Sequence, residues 1–270
     1  MVDMDEPAVN ATLESHQDLN ERYAILRVRP DHRPIPAFTP GQFIQLGLQQ
    51  PAQPRPGEEA PPGPPRMRIA KRTYSIASSP DDRERYEFFL TLVSGGRLTP
   101  EIWKIEAGGR CWIDSKALGA FTLDGVPTTK DLVMVATGTG ISPYVSMLRT
   151  FGGKKRWNRF VLIHGVRYEA DLGYRAELEE RAKSDASFRY VPLVSREPET
   201  WKGLKGRVQT VLEGARLREI AGMELDPASC HVYLCGNPDM VQSVRALLAP
   251  KGFDAGTPAS PGNVHFEKYW

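Results

Sequence analysis

The segment with the clearest chemical potential in this sequence is Arg72-Thr73-Tyr74-Ser75. It offers a cation, a flat ring and a hydroxyl within four residues. In a β-strand, Arg72 and Tyr74 would share one face and Ser75 would point to the other. This suits a ligand with a phosphate at one end and a flat aromatic group at the other. An ordinary half-exposed strand is the alternative interpretation.

A second segment, residues 137–143, reads Thr-Gly-Thr-Gly-Ile-Ser-Pro and follows a continuous apolar run. We expect Ser142 to be the N-cap of a helix and Pro143 its first residue. Glycines there let a ligand approach the backbone, and the helix N-terminus favours a phosphate. The usual dinucleotide fingerprint is not met, because Pro143 stands at the third glycine position. A plain tight turn is the alternative.

A third segment, Cys235-Gly236-Asn237-Pro238, repeats this design at the end of another apolar run. Asn237 is the expected N-cap and Pro238 the first helical residue. Ligands of open α/β sheets bind beyond the carboxyl ends of the strands, so the second and third segments would line one crevice. Cys235 would lie near its floor, unless it is simply a small buried apolar side chain.

Arginines follow two further strand-like runs of the same half of the chain. Arg167 comes after residues 160–164, Arg196 comes after residues 190–194, and Arg207 lies further on. Arginines at strand ends suit an additional phosphate, such as the 2′-phosphate of NADP. Any single one of them could also be an ordinary solvated side chain.

Two kinds of element must position these segments. The first half has short strand-like runs separated by turn residues, which predicts an antiparallel barrel or sandwich. These runs are residues 23–29, 42–48, 86–93 and 111–113. A short helix within residues 98–105 interrupts them, with Thr99 as its expected N-cap. Residues 50–65 are rich in Pro, Gly and Glu, which predicts a mobile loop.

The second half alternates apolar runs with helical patterns, which predicts a parallel sheet with helices on both faces. The predicted strands are residues 132–136, 160–164, 190–194 and 232–235, and the predicted helices are residues 143–150, 176–182 and 238–248. Pro192 indicates a strand end or a sheet edge. The change of class near residue 125 predicts two domains, residues 1–125 and 126–270.

Composition excludes several classes of protein. The 270 residues are 40% hydrophobic and 25% charged, which is typical of a soluble globular protein. A net charge of +2 gives no indication of nucleic-acid binding. Three cysteines without a CxxC pair cannot supply an iron–sulfur cluster, and they predict no metal site. No apolar run approaches a membrane span and the N-terminus is acidic, so we expect a cytoplasmic protein without a membrane partner.

A basic cluster precedes the first motif, at Arg66, Arg68, Lys71 and Arg72. A solvated basic face and a docking surface for an acidic protein are both compatible with it. The chain ends with aromatic residues, Tyr269 and Trp270, which are unusual at a free terminus.

In this order, the three motifs and the aromatic C-terminus resemble the ferredoxin–NADP reductase family, most closely its bacterial branch. The resemblance extends from about residue 23 to residue 270. It implies an N-terminal antiparallel β-barrel domain that binds FAD, residues 1–125, and a C-terminal α/β parallel-sheet domain that binds NADP, residues 126–270. Residues 50–65 are longer than the compact bacterial members lead us to expect.

The resemblance also implies an FAD site. Arg72 would pair with the pyrophosphate, Tyr74 would stack on the isoalloxazine ring, and Ser75 would hydrogen-bond near the flavin N5. The other implied FAD residues are Thr73, Leu92, Val93, Gly96, Arg97, Leu98, Thr99, Thr139, Tyr269 and Trp270. Either terminal aromatic side chain could cover the flavin or the adenine.

For NADP, the resemblance implies that four residues bind the adenosine 2′-phosphate. They are Arg167, Ser195, Arg196 and Arg207, and the other implied NADP residues are Val166, Gly236, Asn237 and Asp239. Cys235 would face the nicotinamide. Ser75, Cys235 and Glu267 would serve catalysis by positioning and hydrogen bonding.

The implied activity is electron exchange between NADPH, which gives a hydride, and a one-electron carrier, ferredoxin or flavodoxin, through FAD. We expect the protein to be a monomer. One alternative is a stand-alone NAD(P)H-dependent reductase that feeds an oxygenase. Another is a flavin relay subunit that does not turn over NADPH, against which the arginines argue.

Overall fold

The computed structural model describes residues 9–52, 63–154, 156–196, 199–257 and 260–269. The chain forms two compact units. The first consists of Met1–Phe38 and Gln42–Gly119, and the second of Thr39–Gly41 and Ala120–Trp270.

The first unit is a six-stranded antiparallel sheet with one short helix. Its strands are β1 (Ala11–Asn20), β2 (Tyr23–Pro30), β3 (Phe43–Pro51), β4 (Met67–Ser75), β5 (Tyr86–Thr91) and β6 (Arg110–Ile113), and its helix is α1 (Thr99–Ile102). The strand order is β4-β3-β6-β1-β2-β5. Beyond the end of β4, the Ala77 N–H donates to the Glu87 carbonyl of β5 at 2.8 Å, which brings the two edge strands together.

Alternation along these strands builds one apolar core. In β2, Ala24, Leu26 and Val28 are at most 1% exposed, whereas Arg27 and Arg29 between and beyond them are exposed. The antiparallel class predicted for this half is therefore confirmed. Strand β1 was not predicted, because its polar sequence, ATLESHQDLN, has one β-branched residue, Thr12, and no Phe, Tyr or Trp.

The second unit contains a six-stranded parallel sheet. Its larger elements are β7 (Asp131–Thr137), α2 (Ser142–Phe151), β8 (Phe160–Val166), α3 (Arg175–Ser184), β9 (Phe188–Val194), β10 (Leu204–Lys205), α4 (Gln209–Leu212), α5 (Arg216–Ala221), β11 (Cys230–Gly236) and α6 (Pro238–Leu248). A two-residue hairpin, β12 (Gly256–Thr257) and β13 (Ser260–Pro261), precedes the last strand, β14 (Val264–Lys268). Three short 3₁₀ turns span Gly138–Ile141, Glu169–Asp171 and Ala249–Lys251.

The order of the parallel sheet is β10-β9-β8-β7-β11-β14. The chain moves outward from β7 to β10 and then returns to the other side of β7 with β11. This makes the carboxyl ends of β7 and β11 the topological switch point, where open α/β sheets bind ligands. Every residue of β8 is buried, so both faces of the sheet are covered, as the continuous apolar runs predicted.

Two strands of this sheet were not predicted. β10 is only two residues long, and in β14, at the sheet edge, only Val264 is buried. Pro192 has no N–H to donate to a neighbouring strand. It lies opposite His164 of β8, and on the other side of β9 the strand β10 pairs only with Leu193 and Val194. No described strand therefore requires an N–H from Pro192 on that second side. Within the described residues, no helix is long and apolar enough to cross a membrane.

Candidate functional site

The carboxyl end of β7 turns into the helix α2 through a 3₁₀ turn. Gly138 begins this turn with a φ of +53°, a conformation that glycine adopts without strain. Thr139, implied as an FAD residue, is 7% exposed within the turn. The prediction that Ser142 is an N-cap was wrong, because the 3₁₀ turn leads directly into the helix. Ser142 is its first residue, and its hydroxyl donates to the Thr139 carbonyl at 2.9 Å.

The carboxyl ends of β7 and β11 touch each other. A Cβ atom on Gly236, whose φ is +129°, would lie 2.4 Å from Oγ1 of Thr137. A Cβ atom on Gly140 would lie 2.3 Å from the carbonyl oxygen of Cys235. Both glycines are therefore required by the protein's own backbone at the switch point. They bring together the two segments that the sequence predicted to line one crevice.

The helix α6 begins as the sequence predicts. The Asn237 side chain accepts hydrogen bonds from the N–H groups of Asp239, at 2.8 Å, and Met240, at 3.2 Å. The N–H of Asn237 itself donates to Oγ1 of Thr137 at 2.9 Å, which links this cap to β7. Asp239, an implied NADP residue, is exposed in the first turn of the helix.

Cys235 lies opposite Glu267 of β14 and has no exposed surface. Burial, followed by the charge of Glu267, raises the pKa of its thiol well above the ordinary value, although a hydrogen bond with Tyr269 acts in the opposite sense. The thiol is therefore neutral at physiological pH and a poor nucleophile, which agrees with a positioning role. Tyr269 is held nearby, because its N–H donates to the Gly236 carbonyl at 2.9 Å.

A buried histidine supports the turn at Gly138, and nothing in the residue pattern indicated this role. His164 of β8 has no exposed surface. Its Nε2 lies 3.1 Å from the Gly138 carbonyl and its Nδ1 lies 3.2 Å from the hydroxyl of Tyr190. Burial lowers the pKa of His164 to about 4, so the ring is neutral near pH 7. A neutral ring that donates from Nε2 accepts the Tyr190 hydroxyl at Nδ1.

The three arginines lie at neighbouring strand ends on one side of the switch point. The Arg196 N–H donates to the Arg167 carbonyl at 2.8 Å, which joins the residues after β8 and β9. The Gly206 N–H donates to the Val194 carbonyl at 3.0 Å, so Arg207 follows a residue bonded to the end of β9. All three side chains are exposed.

The described ion pairs of this unit involve four other arginines. Within the described ranges, no carboxylate pairs with Arg167, Arg196 or Arg207. Other arginines of the same unit are paired: Arg149 with Glu177, Arg159 with Asp131, Arg175 with Glu169 and Glu179, and Arg218 with Glu224. The three cations at the strand ends are therefore available to a phosphate. Ser195 lies beside them, and its hydroxyl donates to the carbonyl of the buried Val166 at 3.1 Å.

In the first unit, the strand β4 carries Arg72-Thr73-Tyr74-Ser75 at the sheet edge. Arg72 is exposed, and its guanidinium donates to the Lys71 carbonyl at 2.8 Å. Tyr74 is half-buried, its ring centroid lies 6.3 Å from that of Phe88, and burial raises the pKa of its hydroxyl to about 12. Ser75 is 6% exposed. The strand thus offers an exposed cation beside a partly exposed ring that rests on the core.

Residues 92–99 form a closed turn after β5. The Val93 N–H donates to Oγ1 of Thr99 at 3.0 Å, and the Gly96 N–H donates to the Val93 carbonyl at 2.8 Å. The Leu92 N–H donates to the Arg22 carbonyl at 2.7 Å. The N–H groups of Leu92 and Val93 are therefore already used within the protein. Arg97 is exposed, and its carbonyl accepts from the Gln50 side chain at 3.3 Å.

The prediction that Thr99 caps a helix was wrong. Leu98 occupies the N-cap position, and Thr99 is the first helical residue. The Thr99 hydroxyl bonds with the backbone of Val93 instead, which holds the turn closed. Trp270, an implied FAD residue, lies outside the described residues, as does most of the Pro-rich segment.

The donor sets of the two units fit the implied cofactors. In the first unit, an exposed guanidinium two residues from a partly exposed ring suits a dinucleotide that carries a flat ring system. In the second unit, unpaired arginines beside a glycine-lined switch point suit a phosphorylated nucleotide. Among the described residues, no cluster of three or more His, Cys, Asp or Glu side chains could hold a metal ion.

These features define the second unit as a nucleotide-binding domain of an oxidoreductase. Residues 134–246 match the family model of the oxidoreductase NAD-binding domain. The flavodoxin/ferredoxin–NADP reductase of Escherichia coli (strain K12) is 35% identical over 88% of this chain and 90% of that protein. Ferredoxin–NADP reductase B of Sorangium cellulosum (strain So ce56) is 36% identical over 86% of this chain and 85% of that protein.

A solved structure extends the similarity to both units. The crystal structure of a ferredoxin NADP+ reductase from Neisseria gonorrhoeae with bound FAD and NADP matches with a TM-score of 0.80 and 26% identity. The match covers 96% of this chain and 97% of that one. The chain belongs to the flavodoxin/ferredoxin–NADP reductase family, which confirms the resemblance predicted from its motifs.

Proposed function

We propose that this chain is an FAD-containing oxidoreductase that exchanges electrons between NADPH and a one-electron carrier, ferredoxin or flavodoxin. Bound FAD supplies the redox chemistry, because it takes up two electrons together and releases them one at a time. The protein contributes binding, orientation and electrostatics. We further propose that it acts in the cytoplasm as a monomer, and that it has neither a membrane nor a nucleic-acid partner.

The observation that carries this proposal is the set of three arginines at the strand ends. NADPH differs from NADH only in the adenosine 2′-phosphate, so a cationic site for that group is what an NADPH-specific enzyme needs. Arg167, Arg196 and Arg207 are exposed and unpaired among the described residues. The switch point at Gly138 and Gly236 would take the rest of the coenzyme, with Asn237 capping the adjacent helix.

For FAD, we propose that Arg72 pairs with the pyrophosphate and that Tyr74 stacks on the isoalloxazine ring. The core behind Tyr74 fixes the plane of its ring, which lowers the entropy lost on stacking. Residues 96–99 would form the second phosphate contact, in a turn that the Thr99 hydroxyl already holds closed. Ser75 would hydrogen-bond near the flavin N5, and an aromatic side chain of the C-terminus, Tyr269 or Trp270, would cover the flavin or the adenine.

For catalysis, we propose that Cys235 and Glu267 position the nicotinamide rather than react with it. The neutral thiol of Cys235 is a small, weakly polar group that lies buried at the end of β11, next to the switch point. Glu267 lies opposite Cys235 in the register between β11 and β14, so both residues belong to one sheet position. Exchange of either residue should therefore change the maximal rate more than the affinity for the 2′-phosphate.

The test is the spectrum of the purified protein and its response to the two coenzymes. We expect a yellow protein that NADPH reduces far faster than NADH in the absence of oxygen. Replacement of both Arg196 and Arg207 by alanine should slow the reaction with NADPH and leave the reaction with NADH unchanged. A colourless protein that does not bind added FAD would overturn the proposal.

A further inference from the structure

Arg175 differs from the three strand-end arginines because its guanidinium already forms ion pairs within the protein. Its guanidinium donates to Glu179 through Nε at 2.6 Å and to Glu169 through Nη1. These hydrogen bonds raise the pKa of Arg175 above its ordinary value, so it stays charged. Two carboxylates more than neutralise one guanidinium, so this group has no net positive charge to offer a phosphate. Arg175 is therefore a structural cation.

The remaining face of this guanidinium lies against an indole ring. The Cζ atom of Arg175 is 5.3 Å from the ring centroid of Trp201, within the range of a cation–π contact. Trp201 is 5% exposed and packs in a small apolar cluster with Val166, Leu172 and Val194. This cluster lies at the carboxyl ends of β8 and β9. Val166 directly precedes Arg167 in the chain, and Val194 precedes Arg196 by two residues.

Trp201 also fixes its own segment of chain. Its indole N–H donates to the Leu204 carbonyl at 2.9 Å. Gly203 lies so close that an added Cβ atom would be 2.2 Å from Cζ2 of the ring. Leu204 then pairs with Leu193, and Arg207 follows two residues after the end of that pairing. Because β10 has only two residues, the ring is the main buried anchor of residues 199–207.

We propose that Trp201, held in place by Arg175, is a positioning residue that sets the preference for NADPH over NADH. The ring would hold Arg196 and Arg207 at the spacing that one phosphate requires, without touching the coenzyme itself. Arg175 joins the segment after Arg167 to the segment before Arg207, because it contacts both Glu169 and Trp201. This inference rests on the proposed role of the strand-end arginines and extends it to what keeps them in place.

The experiment measures kcat/KM for NADPH and for NADH, with ferricyanide as electron acceptor, in the FAD-containing protein. Trp201→Leu removes the indole hydrogen bond and the stacking surface. Since two arginine contacts with one phosphate would loosen together, we expect the NADPH/NADH ratio to fall about ten-fold or more. Trp201→Phe keeps an aromatic ring but loses the hydrogen bond and part of the indole surface, so its ratio should fall less than that of Trp201→Leu.

A matched control exists in the same unit. Trp157 is 3% exposed, donates its indole N–H to the Val126 carbonyl at 3.4 Å, and has Arg156 at 4.8 Å from its ring centroid. It does not lie at the arginine-bearing strand ends. Trp157→Phe should leave the NADPH/NADH ratio unchanged even if it lowers thermal stability.

The outcomes separate the inference from the proposed function. A wild-type protein without preference for NADPH overturns the proposed function, and the inference falls with it. A wild-type preference that Trp201→Leu and Trp201→Phe both leave intact overturns only the inference. In a background that lacks Arg196 and Arg207, the inference predicts that Trp201→Phe has no further effect on the ratio, and an undiminished effect would contradict it.

Discussion

Substitution of Gly236 by alanine should strain the switch point between β7 and β11. The residue has a φ of +129°, which L-residues rarely adopt. The new Cβ atom would lie 2.4 Å from Oγ1 and 2.7 Å from the carbonyl oxygen of Thr137. The Thr137 hydroxyl already accepts the N–H of Asn237. Thr137 belongs to β7, which is paired with β8 on one side and β11 on the other, so neither oxygen atom can move freely.

The two effects add. A non-glycine residue held in a sparsely populated backbone region costs about 1 to 3 kcal/mol. Overpacking against fixed atoms costs about 1 to 3 kcal/mol more. We therefore expect a loss of about 2 to 6 kcal/mol in the free energy of unfolding of the second unit, together with weaker NADP+ binding, because the same strand ends would hold the coenzyme.

Two other glycines separate the causes. Gly214 has a φ of +55°, and an added Cβ atom would lie in open space, so Gly214→Ala tests backbone strain alone. Gly140→Ala has no positive φ but places its Cβ atom 2.3 Å from the Cys235 carbonyl, so it tests steric overlap alone. Urea unfolding followed by tryptophan fluorescence should rank Gly236→Ala as the least stable of the three. Equal midpoints for Gly236→Ala and Gly214→Ala would refute the reasoning.

Three further predictions concern coenzyme selectivity, pH and flavin binding. Loss of both Arg196 and Arg207 should raise the KM for NADPH at least about 100-fold, since each charge-assisted hydrogen bond contributes about 1.5 to 3 kcal/mol. The pKa of His164 falls from 6.5 to about 4 on folding. The unfolded chain therefore takes up a proton first, and this group should cost about 3 kcal/mol of stability as the pH falls from 6.5 to 4, a loss that His164→Asn removes. Tyr74→Ala should raise the Kd for FAD about ten-fold or more, measured by flavin fluorescence, since stacking on an aromatic side chain contributes about 1 to 3 kcal/mol.

A specific result would contradict each of these predictions. An equal rise of KM for NADH in the double arginine variant would show a general loss of structure. Parallel pH–stability curves for the wild type and His164→Asn would show that His164 titrates alike in both states. Tyr23, an aromatic residue of β2 that contacts Phe89, is a control for Tyr74, and an equal loss of FAD in Tyr23→Ala would exclude a specific stacking role.

Apolar patterning allowed most of the fold to be predicted. The β7 sequence, DLVMVAT, predicts a strand buried on both faces, because a strand with one exposed face would alternate polar and apolar residues. Asn237 followed by Pro238 predicts the start of α6, because this cap depends only on neighbouring residues. β1 and β14 could not be predicted in the same way. β1 is polar, and β14 becomes a strand only because β11 offers it a parallel edge.

The capping errors have a similar cause. Ser142 and Thr99 are good N-cap residues by type, but each hydroxyl found a partner within its own turn: the Thr139 carbonyl for Ser142 and the backbone of Val93 for Thr99. Such competition between nearby acceptors is invisible in residue preferences. His164 shows the opposite case. In sequence it is one polar residue in an apolar run, and only its burial beside Gly138 and Tyr190 reveals what it holds.

By itself, the sequence determined which residue types are present and in what order. It thereby determined the two classes of domain and the family, because Arg72-Thr73-Tyr74-Ser75 and the two strand-end motifs carry their chemistry in adjacent residues. The tertiary structure decided which cations remain free. Arg175 and Arg196 look alike in sequence, but Arg175 contacts two carboxylates and an indole ring, whereas no described carboxylate forms an ion pair with Arg196. Charge neutralisation depends on distance in space, and only folding fixes that distance.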